Sequence, residues 1–301
     1  MRMTGTNDTR WWFEHFEGVD ARDMDRWFAG LSDDVVVRFS NWPVIRGKAA
    51  LKSHVIEFNK LFVTISHKHG QLFTDGNLAA GEGVVTFTMH DGREISIPGT
   101  TVMEHRDGLI RRIAAYLDFG PLFAPAADNV TVSEPSTFMP RASSAVIRPI
   151  VNGRSGNMQW WDEYYRAVDG GQIEKFSTWY ADDIVSRFGN MPVTRSKRAL
   201  VDSLTQFFQQ FVRLDHVWGA ILYNGDLAVG EGVCSYTLHD GRKIWIPVVT
   251  VIERRKDGLI CRSSVYFDAA PLFTQDNEAA HVPDAFMFAQ APGGTALRAG
   301  A

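Results

Sequence analysis

The chain repeats itself, and the repeat sets what it can fold into. Trp11-Trp12 with Glu14 returns as Trp160-Trp161 with Glu163, 149 positions later. At the same offset Asp33-Asp34 falls on Asp182-Asp183, Gly81-Glu82-Gly83 on Gly230-Glu231-Gly232, and His90-Asp91-Gly92-Arg93 on His239-Asp240-Gly241-Arg242. One inserted residue near Lys256 then carries Asp107-Gly108-Leu109-Ile110 onto Asp257-Gly258-Leu259-Ile260, and Pro121-Leu122-Phe123 onto Pro271-Leu272-Phe273. A period this long is far beyond that of solenoid repeats, so it marks a duplicated domain. The 301 residues suit two domains, each long enough to bury a core. We expect a first domain over 8–126, a Pro/Ser-rich connector and docking tail over 127–156, a second domain over 157–275 and a tail over 276–301. Phe138-Met139 and Phe286-Met287 echo each other, which predicts that each tail docks on its own domain.

Several function classes are excluded early. A net charge of −4 without a basic block leaves no footprint for nucleic acid. No apolar run approaches the ~18 residues needed to cross a bilayer, and the polar start of the chain lacks the apolar core of a signal peptide. The two cysteines, Cys234 and Cys261, both lie in the second copy, so the copies share no disulfide framework. Reduced thiols and a cytoplasmic location are the expectation. No His, Cys, Asp and Glu grouping has metal-ligand spacing, and neither metal nor cofactor is expected.

Within one copy the elements read in order. Trp12, Phe16, Val19 and Trp27 predict helix over 11–30, broken near Asp20; Gly170-Gly171 breaks the second copy at the same place. Asp33-Asp34 ends that segment, Val35–Ser40 is a short strand, and Lys48–Phe62 is a second helix with Leu51, Val55, Phe58 and Phe62 on one face. Three or four strands follow, divided by Asp75-Gly76, Asp91-Gly92 and Asp107-Gly108, which are strong hairpin signals. Helices followed by an antiparallel meander make an α+β domain whose sheet curves around the helices and encloses a pocket.

This order, with Asp182-Asp183-Ile184-Val185, Asn190-Met191-Pro192, the run from His239 to Ile260 and the closing Tyr266-Phe267-Asp268, resembles the nuclear transport factor two-like superfamily. The branch it resembles most is the SnoaL-like one, which includes polyketide cyclases and limonene epoxide hydrolases. The resemblance implies two cone-shaped (cystatin-like α+β) domains, each with a curved antiparallel sheet around N-terminal helices. It also implies an intramolecular pseudo-dimer, with room for further homo-oligomerisation. Since this fold hosts many reactions, function must come from the site.

The resemblance places Asp118 and Asp268 where SnoaL-like cyclases keep a catalytic aspartate. Either could take a proton beside a carbonyl if an apolar pocket raised its pKa. The alternative is that both cap the turn into Pro121 and Pro271. Asn41 and Asn190 match the water-positioning asparagine of the epoxide hydrolases, while Phe39 and Phe188 stand where those enzymes carry a tyrosine. The rest of that acid–base set is missing, which disfavours epoxide opening. Tyr116 and Tyr266 are expected to orient substrate, and His67 and His216 to point inward from an early strand as bases or donors. His90 and His239 belong to the turns beside them. Glu82 and Glu231 are expected on the face away from the pocket, paired with Arg38, Arg187 or the partner domain. Gly81 and Gly83 are expected to leave the pocket floor open.

The sequence therefore points to a cofactor-independent cyclase, isomerase or dehydratase working by aspartate acid/base catalysis on a hydrophobic, oxygenated small molecule, polyketide- or terpenoid-like. The alternatives are a non-catalytic small-molecule binder and, less favoured, an epoxide hydrolase.

Overall fold

The computed structural model describes residues 9–75, 77–124, 146–149, 159–223 and 225–273. In the first copy, α1 (Arg10–Asp20) turns the indole of Trp12 and the ring of Phe16 inward, one helical turn apart. The helix stops at Ala21–Asp23, where Arg22 takes a left-handed φ of 53° and Asp23 caps α2 (Met24–Ala29) by accepting the Arg26 N–H at 3.0 Å. Then come β1 (Leu31–Phe39), β2 (Ile45–Arg46), α3 (Lys48–Phe58), β3 (Phe62–Asp75), β4 (Leu78–Met89), β5 (Glu94–Arg106), β6 (Leu109–Tyr116) and the short α4 (Gly120–Phe123). A connector strand, β7 (Val146–Pro149), completes the sheet order β2-β1-β6-β5-β4-β3-β7; β1/β6 and β3/β7 are parallel and the other pairs antiparallel.

The second copy repeats the plan: α5 (Gln159–Asp169), α6 (Ile173–Phe176), β8 (Tyr180–Phe188), α7 (Lys197–Phe208), β9 (Arg213–Tyr223), β10 (Leu227–Thr237), β11 (Lys243–Arg254), β12 (Ile260–Tyr266) and α8 (Ala270–Phe273). Its sheet runs β8-β12-β11-β10-β9. The α+β class and the duplicated, curved, open sheets are as expected. The β5–β6 hairpin turns on Asp107-Gly108, both at positive φ (56° and 81°), which is the geometry a two-residue primed turn requires.

Two local expectations change. The second helix ends at Phe58, not Phe62; Phe62 opens β3 because the β-branched Val63, Thr64 and Ile65 after it favour a strand. Phe62 still packs on Phe58 and Phe87, with ring centroids 5.2 and 5.0 Å away. Asp33-Asp34 lie inside β1, exposed where its pairing with β6 shifts register between Leu31 and Val36. The predicted docking of Phe138-Met139 and Phe286-Met287 lies outside the described residues.

Each copy buries its own core between helices and sheet, with Trp12, Phe16, Leu51 and Val55 against Val35 and Ile113 in the first, and Trp161, Tyr165 and Leu200 against Ile184 and Ile252 in the second. A further apolar cluster joins the copies: Phe73, Ala80, Val102, Ala114 and Tyr116 meet Leu222, Val229, Val249, Val251 and Tyr266. The opposite faces of the two sheets thus pack on each other, leaving each helical side free to form its own cavity.

The Gly-Glu-Gly strands cross this contact. Glu231 accepts both guanidinium N–H groups of Arg112 at 2.7 and 2.8 Å, and the hydroxyl of Tyr116 donates to the same carboxylate. Reciprocally, Glu82 accepts from Arg262 at 2.9 Å and from Tyr266 at 2.8 Å. Burial alone would raise the Glu231 carboxyl, but Arg112 and Tyr116 hold it below the usual range. Both glutamates therefore pair with the partner domain.

Candidate functional site

Strand parity decides what can line each cavity. In β6, Ile113, Ala115 and then Leu117 beyond the strand face the first cavity, whereas Ala114 and Tyr116 face the other domain. In β3, Ile65, His67 and His69 share the cavity face. Phe39, Phe58 and Phe119 close its other walls, and the space amounts to about 1110 Å³ counting its mouth.

The chemistry sits on His67. Its Nδ1 lies 2.5 Å from Oδ1 of Asp20, at the end of α1, and the other Asp20 oxygen accepts the His67 backbone N–H at 3.0 Å. A carboxylate on Nδ1 holds the proton there and leaves Nε2 as the acceptor. Three further histidines line the same cavity. His15 accepts from Trp27 Nε1 at 3.1 Å; burial first, then the nearby His67, pulls its pKa down to about 3. His69 is pulled down to about 4 for the same reasons in the same order. His54 stacks on Phe39, and its buried Nε2 has no partner among the described residues. The cavity thus holds one histidine oriented by a carboxylate, with the neutral rings of His15 and His69 beside it.

Gly81 does not open the floor. A Cβ there would come within 2.3 Å of Trp12 Cζ2, so the glycine exists to admit the indole, as Gly230 admits Trp161.

The second cavity is smaller, about 650 Å³ counting its mouth. Tyr164 replaces His15 and bonds Tyr180 hydroxyl to hydroxyl at 2.8 Å; Trp218 replaces His69 and stacks on His216 at 5.1 Å. His216 keeps the orientation of its counterpart, with Nδ1 2.6 Å from Asp169 Oδ1.

Of the residues predicted from sequence, Phe39, Phe188, His67 and His216 line cavities. Asp118, Asp268, Asn41, Asn190, Tyr116 and Tyr266 line neither; they meet at the contact between the domains. Asn41 Nδ2 donates to the Asp268 carbonyl at 2.9 Å and Asn190 Nδ2 to the Asp118 carbonyl at 3.1 Å. Asp118 and Asp268 accept the N–H of Gly120 and Ala270 at 2.8 and 2.9 Å, the turn-capping arrangement. Tyr116 and Tyr266 are committed to the interdomain glutamates. For Tyr116, Asp118, Tyr266 and Asp268 the physical reason is parity: they continue the face of β6 and β12 that the other sheet covers. His90 and His239 donate Nε2–H to the backbone carbonyls of Lys60 and Gln209, as structural groups do. Asp20, Asp169, His54 and Cys234 were not singled out from sequence. Asp20 and Asp169 carried one signal: each precedes its histidine by the same 47 residues.

Burial, with a smaller push from Asp118, raises the Asp268 carboxyl to about 6. A carboxyl raised on folding stabilises fully below its unfolded pKa, and that contribution is lost as pH rises through the folded one, here between 3.8 and about 6. Asp268→Asn keeps the oxygen that caps Ala270. It should therefore stabilise the protein by about 2–3 kcal/mol at pH 7.5, from a shift of roughly two units. The gain should vanish at pH 3.5; urea unfolding at both pH values reads the difference.

Among the described residues no helix is long and apolar enough to cross a membrane, and no group of three or more His, Cys, Asp or Glu is placed to hold a metal.

A cavity between helices and a curved open sheet, with an oriented histidine–aspartate pair inside, defines a cone-shaped α+β domain built to enclose a small molecule, present here twice. The chain belongs to the SnoaL-like domain family, which matches residues 12–113 and 161–263. No curated protein sequence matches it. Among solved structures it is similar to an NTF2-like protein of unknown function from Burkholderia pseudomallei, at 14% identity over 40% of this chain and 96% of that one, with a TM-score of 0.37. It is also similar to a protein assigned as a polyketide cyclase from Xanthomonas campestris pv. campestris, at 22% identity over 38% and 91% of the chains (TM-score 0.34). A third similar structure is TerC co-crystallised with polyporic acid, at 14% identity over 39% and 96% (TM-score 0.37).

Proposed function

We propose that the first domain is an acid/base catalyst on a hydrophobic, oxygenated small molecule, removing a proton beside a carbonyl so that the substrate cyclises, isomerises or loses water. The observation that carries this reading is His67, fixed through Nδ1 by Asp20 inside a cavity walled largely by aromatic and aliphatic side chains. Its Nε2 takes the proton, and the unpartnered His54 Nε2 is placed to bond a substrate oxygen. The acid/base role thus passes from Asp118 and Asp268 to the dyad. Such proton transfer needs no electron carrier. Domains 8–126 and 157–275 act as an intramolecular pseudo-dimer, with the second supporting the first across the Arg112–Glu231 and Arg262–Glu82 pairs.

The test follows deuterium uptake from D₂O into a panel of benzo-fused cyclic ketones such as 2-tetralone, by mass spectrometry. Wild-type protein should accelerate exchange at the carbon next to the carbonyl, and His67→Gln should remove about 10²-fold or more of that acceleration. Ligands that quench the cavity tryptophans yet exchange no faster than in buffer would make the protein a binder instead.

A further inference from the structure

In the second domain the histidine–aspartate pair has a third member. Nε2 of His216 lies 3.4 Å from Sγ of Cys234, while Nδ1 is held 2.6 Å from Asp169, whose other oxygen accepts the His216 backbone N–H at 3.2 Å. Cys234 stands on the cavity face of β10, with Tyr236 two residues along the same strand and Tyr165 of α5 lining the same cavity. In the first domain this position is Val85, so the duplication does not explain the thiol.

A buried cysteine is ordinarily inert, because an apolar surrounding disfavours the thiolate. Here its proton has a destination: an imidazole within reach, oriented by a carboxylate, which is the nucleophile–base–orienter arrangement of covalent catalysis. Burial pulls His216 down, but Cys234 and Asp169 overcome it and raise the imidazole to about 10, so it holds a proton beside the sulfur.

We propose that Cys234, His216 and Asp169 form a covalent site in the second domain that captures hydrophobic α,β-unsaturated carbonyl compounds. The sulfur adds to the β carbon: the S–C bond forms, the carbon–carbon π pair moves toward the carbonyl as an enolate, and His216 hands the thiol proton to the α carbon. Nothing leaves and nothing is oxidised, so the addition balances with the thiol and the ligand alone. The walls, Phe188, Phe207, Phe208 and Val248, suit a flat conjugated body. This site is independent of the activity assigned to the first domain.

Cys261 is the internal control. It is more exposed than Cys234, but burial and Glu253 push its thiol up, away from reactivity. The full-length protein is treated with trans-cinnamaldehyde, and adducts are located and timed by peptide mass mapping. Cys234, despite its burial, should react about tenfold or more faster than Cys261, at a rate nearly level from pH 6 to 9; an ordinary thiol climbs about tenfold per pH unit up to ~8.5. His216→Gln should slow the Cys234 reaction at pH 7 by about 10²-fold and restore the climb, and Cys234→Ser should abolish the adduct at that site. Faster labelling of Cys261, or a Cys234 rate that climbs like a free thiol's in the wild type, would overturn the proposal. These two wild-type readings decide even where a variant does not fold.

Discussion

Glu231→Ala should cost about 3–5 kcal/mol of stability, the largest loss expected from any one substitution described for this chain. The carboxylate is 2% exposed and takes two N–H groups of Arg112 and the hydroxyl of Tyr116 from the other domain. Removing it strands a buried guanidinium that, among the described residues, keeps only Glu104 as a charged partner, at the margin. The cost is desolvation of what remains, not the loss of the attraction, so Arg112→Met with Glu231→Leu should recover most of it. The exposed pair of Arg255 and Asp183 offers the contrast: Asp183→Ala should leave the denaturation midpoint unmoved. Since the folded pKa of Glu231 is depressed, its contribution is present above the ordinary value near 4.5 and lost as pH falls through the folded one. Guanidinium unfolding at pH 7, and again at pH 3, should therefore show the gap between wild type and Glu231→Ala narrowing with acid.

The same contact explains what was and was not legible in the sequence. The duplication, the broken first helix and the hairpin turns were readable because each depends on neighbours along the chain: aromatics at helical spacing, or Asp-Gly at positive φ. Glu82 and Glu231 stand on the face that the resemblance implies, away from the pocket and toward the other domain. The last strand obeys the same alternation. Tyr116 and Asp118 share parity with Ala114, on the face opposite Ile113, Ala115 and Leu117. Which face of that strand meets the cavity is a tertiary fact, since both faces are buried and both read as apolar. Asp20 reads from the sequence as a helix break for a related reason: its side chain meets His67 only once the helix crosses the sheet. The exchanges of Tyr164 for His15 and Trp218 for His69, visible when the copies are aligned, imply cavities of different size once those positions line pockets, and the second cavity is the smaller.

Asp20→Asn should lower the rate of α-proton exchange by about 10²–10⁴-fold, roughly 3–5 kcal/mol of barrier. The carboxylate accepts the Nδ1 proton of His67 and so keeps Nε2 a base. An amide can present its own N–H to Nδ1, which moves the ring proton to Nε2 and points a donor where the substrate's proton must go. Ligand contact is untouched, so KM should change little while kcat falls. That split separates a positioning residue from a merely structural one, whose loss would loosen the cavity and move both. Asp118→Asn and Asp268→Asn supply the opposite arm. Both carboxyls cap turns at the interdomain contact, and both variants should turn over at the wild-type rate. The two acid/base assignments therefore make opposite demands on the same assay. If Asp20→Asn exchanges normally while Asp268→Asn is dead, catalysis belongs to the carboxylates between the domains. If the reverse holds, the dyad at the end of α1 is the catalytic pair, and the second domain has kept its own copy of that pair and placed a thiol on it.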